Sequence, residues 1–221
     1  MSANNSTLGS RAAARASTTV VIADLGLGNL RSVARAVERA GGTATISSDP
    51  DALRKAAKVI VPGQGAFRDC AVALERGFGE ALREVIRAGT PYLGICLGMQ
   101  LLFEQSAEAL GSAGLGYFAG SVERFPRTLK DPSGVPLKVP HMGWNEVVGQ
   151  HPAFSDRAWF YFTHSYFCVP LDERLIVGRA AYDLHFCAAI AHENVFACQF
   201  HPEKSQEEGH KLLARFVEGG F

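Results

Sequence analysis

The sequence predicts an α/β fold in which a mostly parallel central sheet with flanking helices carries an antiparallel β extension. In the first half, short β-branched and apolar runs alternate with segments of helical periodicity, which is typical of a buried parallel sheet with right-handed crossovers. In the second half, between Gly120 and Gln199, short β-like runs are separated by Pro, Gly and Asp turns, as in antiparallel strands. These two patterns together indicate the fold class.

Strands and helices alternate in the first half. The predicted strands are Thr19–Asp24, Thr43–Ser47, Val59–Val61 and Tyr92–Ile95. Asn29 can cap a helix that runs to about Ala40, and Gly41 and Gly42 stop it. A short helix opens at Asp49, helical segments fill about 67–88, and a helix is predicted over 97–105.

Five short β-like runs and one closing helix make up the second half. The predicted runs are 121–125, 159–163, 175–181, 186–191 and 195–199, and the amphipathic helix covers 205–217. We expect one domain over 18–221, preceded by a disordered tail over 1–17. The tail has Arg11 and Arg15 and no acid, so a weak transit peptide is the alternative.

Composition narrows the classes of function. The 22 basic and 22 acidic residues cancel, which gives no reason to expect nucleic acid, and the apolar runs are too short for a membrane helix. The odd cysteine count, without a CxxC pair, argues against a disulfide framework and a zinc site; the cysteines are Cys70, Cys96, Cys168, Cys187 and Cys198. We therefore expect a reducing, cytoplasmic setting with no metal and no cofactor. Gly26 and Gly28 are not a dinucleotide fingerprint, because Arg31 stands where its third glycine belongs.

The segment 94–98 reads Gly-Ile-Cys-Leu-Gly and lies where a buried strand gives way to a helix. Such a sharp turn holds the side chain of Cys96 over the strand end, and the residues two before and two after must be very small. The N–H of Leu97 then lies beside the nucleophile, where an oxyanion develops in acyl transfer. The alternative is a core cysteine with glycines that serve packing alone.

A base and its orienting group follow the last apolar strand. His201 falls at the strand end, on the sheet edge where α/β active sites form, and Glu203 can hold one imidazole nitrogen while the other faces the thiol. Pro202 restricts the loop between them. This spacing predicts a hydrolytic triad of Cys96, His201 and Glu203.

A third element, Val-Pro-Gly-Gln-Gly at 61–65, also follows a strand directly. The glycines on both sides of Gln64 let that peptide take unusual angles, so an N–H of this loop could be the second oxyanion donor. The alternative is an ordinary tight turn.

The three motifs, in this order, resemble the class I (triad) glutamine amidotransferases: Val-Pro-Gly-Gln-Gly (61–65), Gly-Ile-Cys-Leu-Gly-Met-Gln (94–100) and Gln-Phe-His-Pro-Glu (199–203). The stretches 24–33, 140–145 and 161–166 are most similar to the glutaminase subunits of imidazole glycerol phosphate synthases. The resemblance runs from about Val20 to the C terminus. One departure is Gln64, where many members carry Val.

The resemblance implies an activity: Cys96 attacks the side-chain amide of L-glutamine, forming a γ-glutamyl thioester and releasing ammonia. By the same resemblance Leu97, Gln64 and Gly65 form the oxyanion hole, and the residues that hold glutamine are Gly63, Gly65, Gln100, Ser165 and Tyr166. The ammonia would pass to a (β/α)8-barrel cyclase subunit in histidine biosynthesis, as a heterodimer. The residues implied to face that partner are His141, Met142, Trp144 and Asn145.

Two further interpretations stay open at this point. A different amidotransferase or a stand-alone cysteine hydrolase of the same fold would share the triad, and the hydrolase would need no partner. A catalytically silent binding module would keep the fold alone. Taken without the family, the segment 140–145 is a turn that carries a half-buried Trp144.

Overall fold

The computed structural model describes residues 18–219 and 221. The disordered tail predicted for residues 1–17 lies outside the described residues.

The strands and helices, numbered in chain order, have these bounds. The strands are β1 Thr19–Ala23, β2 Thr43–Ser47, β3 Lys58–Val61, β4 Tyr92–Ile95, β5 Gln105–Ser106, β6 Gly120–Arg124, β7 His141–Gly149, β8 Arg157–His164, β9 Tyr166–Pro170, β10 Ile176–Tyr182, β11 Leu184–His192 and β12 Val195–Cys198. The helices are α1 Leu30–Arg39, α2 Pro50–Arg54, α3 Phe67–Ala73, α4 Gly79–Arg87, α5 Leu97–Gln100 and α6 Gln206–Glu218. Short 3-10 turns cover Glu173–Leu175 and Pro202–Lys204.

The described strands form one sheet that is parallel on one side and antiparallel on the other. Its order is β2-β1-β3-β4-β12-β11-β10-β7-β8, and β5, β6 and β9 branch from it beside β11. Pairing is parallel from β2 to β12 and antiparallel from β12 to β8. This arrangement confirms the predicted fold class.

Helices cover both faces of the parallel part, so side chains of successive strand residues enter different cores. In β1, Val21 packs with α3 and α4, whereas Val20 and Ile22 pack with α1 and α6. These strands read as continuous apolar runs because both of their faces are buried.

Several elements differ from the prediction. The helix predicted over 97–105 ends at Gln100, because the carbonyl groups of Leu101 and Leu102 accept hydrogen bonds from the returning segment at Leu115 and Tyr117. The helical stretch predicted over 67–88 is interrupted by a π-type turn over Leu74–Phe78. The segment 140–145, for which the motif-free interpretation was a turn, begins the long strand β7, and β9 was not predicted.

Three parallel strands end at the same edge of the sheet and carry the three sequence motifs. Ile95 of β4 lies beside Cys198 of β12 in register, and Val61 of β3 lies beside Gly94 of β4. The residues that follow these strands therefore emerge side by side, at the edge where α/β proteins build their sites.

The sharp turn at residues 94–98 after β4, which we call the elbow, requires residues without side chains. A Cβ at Gly98 would lie 1.8 Å from the carbonyl oxygen of Val61, and a Cβ at Gly94 would lie 2.6 Å from that of Gly98. Both distances are far inside van der Waals contact with backbone, which cannot move as a flexible side chain can. The start of α5 is thus packed directly on the end of β3.

The substitution Gly98→Ala should lower the free energy of unfolding by about 3 kcal/mol, the upper end for overpacking, because its Cβ meets backbone. Gly111→Ala is the matched control: nothing lies within 4 Å of its Cβ and only its φ of +85° is strained, which costs about 1 kcal/mol. Urea unfolding of both variants measures the difference. Equal costs would contradict the packing argument.

Candidate active site

Cys96 lies at the turn between β4 and α5 in a backbone conformation that is rare for a residue with a side chain. Its φ is 54° and its ψ is −104°, and its N–H donates to the carbonyl of Cys198 at 2.7 Å. A conformation of this kind costs on the order of 1–3 kcal/mol and occurs mostly at functional sites. The side chain is 7% exposed, so it reaches the surface of a cavity but not bulk water.

His201 and Glu203 form a buried pair at the neighbouring strand end. The distance between His201 Nδ1 and Glu203 Oε1 is 2.9 Å, and the two side chains are 1% and 3% exposed. His201 Nε2 has no partner in ordinary hydrogen-bond geometry among the described residues. The carboxylate therefore orients the ring through Nδ1 and leaves Nε2 for the reacting groups.

The environment of His201 favours its protonated form. Burial by itself lowers the pKa of His201, but the charge of Cys96, followed by the hydrogen bond and charge of Glu203, outweighs burial and raises the pKa to about 10. An imidazolium at neutral pH sets a proton beside the sulfur, ready for a leaving group. The pair of Cys96 and His201 can then act as nucleophile and acid.

The other four cysteines remain protonated thiols. Burial raises the pKa of Cys70 and Cys187 to about 12 and raises the pKa of Cys168 and Cys198 well above its ordinary value. All are unpaired and buried. Cys96 is the cysteine that combines a cavity, a base and a strained turn.

A cavity of about 320 Å³ opens beside Cys96 and brings the predicted residues together. Those lining it are Gly63, Gln64, Gly65, Cys96, Leu97, Gln100, Ser165 and Tyr166. A Cβ at Gly63 would lie 2.5 Å from the Cβ of Leu97, so the glycine loop touches the elbow directly. As the first residue of α5, Leu97 has an N–H without an intrahelical acceptor.

Four residues to which the sequence analysis assigned no role in the site also line the cavity: Glu108, Pro140, Thr163 and His164. Glu108 is a carboxylate, and its Oε2 accepts a hydrogen bond from the N–H of Phe67 at 3.0 Å. No local motif marks Glu108, since it follows a helix that ends earlier than its periodicity suggests. Glu108 reaches the cavity because the chain turns back toward α5 after that helix ends.

The residues implied to face a partner divide between the two faces of β7. Met142 and Trp144 are 62% and 43% exposed, whereas His141 is 3% exposed and Asn145 is half-buried. Strand alternation turns His141 and Asn145 inward. His141 therefore lies behind the exposed surface, and Trp159 of β8, which the sequence did not suggest, is exposed on it.

A chain of hydrogen bonds fixes the tautomers of two buried histidines. His164 Nδ1 must donate to the carbonyl of Tyr166 at 2.8 Å, so its Nε2 accepts from His141 Nδ1 at 3.1 Å. His141 Nε2 then accepts from Asn145 Nδ2 at 3.3 Å. Asn145 Oδ1 accepts from the N–H of Glu146, which sets the orientation of the amide.

Neutral imidazoles are required by this chain and favoured by its surroundings. Burial lowers the pKa of His141 to about 4. Burial is also the largest cause that lowers the pKa of His164 to about 3, and the nearby His141 and His201 lower it further. His141 also stacks on Phe162 at a centroid distance of 4.9 Å. Both rings are therefore uncharged at neutral pH.

Within the described residues, no group of His, Cys, Asp and Glu side chains is arranged to hold a metal ion. None of the helices between residues 18 and 219 is long and apolar enough to cross a membrane.

Comparison with known families and sequences supports the motif assignment. The model of the family described as "Glutamine amidotransferase class-I" matches residues 21–219. "Imidazole glycerol phosphate synthase subunit HisH" of Geobacter sulfurreducens is 47% identical over 207 residues, which are 91% of this chain and 99% of the relative. The protein of the same name from Neisseria meningitidis serogroup B is 46% identical over 208 residues, covering 89% of this chain and 97% of the relative.

Solved structures share the fold at lower identity. A crystal structure described as a glutamine amidotransferase matches with a TM-score of 0.70 and 21% identity, covering 90% of this chain and 97% of that one. The structure described as PurLQS from Thermotoga maritima matches with a TM-score of 0.69 and 19% identity, covering 92% and 99%. At these identities the likeness shows the fold alone.

The buried histidine pair makes stability depend on pH in a defined direction. The folded pKa values lie below the ordinary 6.5, so the stabilisation is fully present above that pH and falls as the pH falls toward the folded values. When the pH falls from about 7 to about 5, we expect each of the two histidines to lower the free energy of unfolding by at most on the order of 2 kcal/mol.

Urea unfolding at the two pH values measures this loss. His164→Asn keeps a donor for the Tyr166 carbonyl but cannot titrate, so it should reduce the loss. His210→Asn, at an exposed position of α6, should leave it unchanged. An unchanged pH dependence in His164→Asn would show that the pair is not responsible.

Proposed function

The chain belongs to the class I glutamine amidotransferases, and on that premise we propose that it is the glutaminase subunit of an imidazole glycerol phosphate synthase. The observation that carries the proposal is the strained Cys96 beside the buried His201–Glu203 pair, at the mouth of a cavity that suits one glutamine. Relatives at 45–47% identity are named as subunits of imidazole glycerol phosphate synthase, which supports this choice among the amidotransferases. A cytoplasmic location is part of the same proposal.

In the acylation step the Cys96 sulfur attacks the carboxamide carbon of glutamine and a C–S bond forms. The negative charge on the oxygen is held by the Leu97 N–H and by an N–H of the Gly63–Gly65 loop, because Leu97 and this loop line the same cavity as Cys96. His201 gives its proton to the departing nitrogen, the C–N bond breaks, and ammonia leaves a γ-glutamyl thioester.

In the deacylation step water attacks the thioester carbon and gives its proton to His201. The C–S bond breaks, its electron pair returns to Cys96, and glutamate is released. Glu203 keeps the ring aligned through both steps by its bond to Nδ1. The sum is glutamine and water converted to glutamate and ammonia.

Glu108 is the carboxylate of the cavity wall, and we assign it to the α-ammonium group of glutamine. The substrate is a zwitterion, so its cationic end requires an anion at a distance from the reacting amide. Gln100, Ser165 and Tyr166 complete the wall around it.

The ammonia passes to a (β/α)8-barrel cyclase partner, which we place against the exposed face of β7 and β8. That face carries Met142, Trp144, Val148 and Trp159, all exposed. Exposed apolar side chains grouped on one strand face are typical of a protein interface. The cavity reaches Pro140 at the start of β7, so the interface and the site adjoin.

The substitution Glu108→Gln should raise the KM for glutamine about 10–100-fold with a smaller change in kcat, because it removes a charge-assisted bond present in ground and transition states alike. The amide still accepts from the Phe67 N–H, so the loop stays anchored. Glu104→Gln is the matched control: that carboxylate also accepts from a backbone N–H, at Gly120, but does not line the cavity. An unchanged KM in Glu108→Gln would remove this residue from substrate binding.

The function itself is tested by measuring glutamate formation with and without a barrel cyclase and its nucleotide substrate. We expect strong stimulation by the partner, labelling of Cys96 alone by 6-diazo-5-oxo-norleucine, and no glutamate from Cys96→Ala. High turnover by the isolated chain would favour a stand-alone hydrolase. No glutamate even with partner and nucleotide would favour a silent module.

A further inference from the structure

A buried amide lies against the sulfur of Cys96. Gln199 follows β12 directly, is 0% exposed, and its backbone N–H donates to the carbonyl of Ala188 at 2.8 Å. Its side-chain Nε2 lies 3.4 Å from Cys96 Sγ. A fully buried polar side chain is costly unless it is hydrogen-bonded, so the amide of Gln199 requires partners, and the sulfur of Cys96 is one of them.

The neighbouring amide of Gln100 fixes which end of Gln199 faces the sulfur. Gln100 Nε2 donates to Gln199 Oε1 at 3.1 Å and to the carbonyl of Tyr166 at 3.1 Å. These two bonds use both of its hydrogens, so its nitrogen cannot be exchanged with its oxygen. Gln199 Oε1 is thereby an acceptor, and the end that reaches Cys96 is an N–H donor.

We propose that Gln199 is a further catalytic residue, whose Nε2–H donates to Cys96 Sγ and stabilises the sulfur anion, with Gln100 as the residue that positions it. Hydrogen bonds to an ionised acceptor are about twice as strong as neutral ones. The bond is strongest when the sulfur carries charge, before attack and again when the thioester C–S bond breaks and its electron pair returns to sulfur. Gln199 thus favours the free thiolate at both ends of the catalytic cycle.

The bonds of Gln100 also limit which of its atoms can bind the substrate. Because its nitrogen is fully used by Gln199 and Tyr166, only its Oε1 is left to face the cavity that it lines. Gln100 therefore offers the substrate an acceptor and not a donor.

The pH dependence of Cys96 alkylation by iodoacetamide, in the isolated chain, tests the proposal. The titratable groups around the sulfur are His201 with Glu203, the thiols Cys70, Cys168 and Cys198, and Glu108, His164 and Tyr166 of the cavity wall. Gln199→Leu leaves all of these in place and removes the donor to the sulfur together with the acceptor for Gln100.

We expect Gln199→Leu to be alkylated about 10–100-fold more slowly at neutral pH, the range for losing a bond to a charged group. The whole profile should move to higher pH, and the rate at its alkaline plateau should be equal or higher, since a less stabilised thiolate is the better nucleophile. Gln199→Glu keeps an acceptor for Gln100 but sets a carboxylate against the sulfur, so its profile should move further.

Val195→Ala, which trims a buried side chain at the other end of β12, is the control for a merely structural effect, and it should leave the profile in place. A folded Gln199→Leu with the native profile would overturn the proposal, and so would a lower plateau without a shift. If Gln199→Leu does not fold, the profile of Gln199→Glu decides alone. The assay needs neither glutamine nor a partner, so its failure is distinct from failure of the proposed function.

Discussion

The site depends on one steric constraint, the direct contact of backbone with backbone where β3, β4 and α5 meet. Gly98 lies against the Val61 carbonyl, and Gly63 lies against Leu97, at distances that admit no Cβ. This contact holds Cys96 at a positive φ that it would otherwise leave. It also sets the glycine loop against Leu97, so the proposed nucleophile and the proposed oxyanion donors are placed by the same packing.

Charge at the sulfur is controlled by groups on two neighbouring strand ends. The elbow follows β4, and Gln199, His201 and Glu203 follow the adjacent parallel strand β12. Glu108, Ser165 and Tyr166 line the cavity that opens beside the sulfur. Hydrogen bonds then run without a break from Asn145 on β7 through both buried histidines to the Tyr166 carbonyl, and from there through Gln100 and Gln199 to Cys96.

The parallel half of the fold and the motif residues could be predicted from the sequence, because local patterns carry them. Apolar runs marked β1 to β4, and the glycines around Cys96 marked the elbow. Glu108 could not be predicted, since α5 ends early through hydrogen bonds to a segment 13 or more residues away, such as that from Leu115 to Leu101. The inward turn of His141 and the amide of Gln199 depend on strand register and side-chain contacts, which no local pattern contains.

The proposed chemistry requires a covalent γ-glutamyl intermediate on Cys96. The most direct test is to quench the protein with acid during turnover and to examine the intact chain and its peptides by mass spectrometry. We expect a γ-glutamyl adduct on the peptide that contains Cys96, and we expect no adduct in Cys96→Ala or without glutamine. Glutamate formation with no adduct on that peptide, or with an adduct on another cysteine, would contradict it.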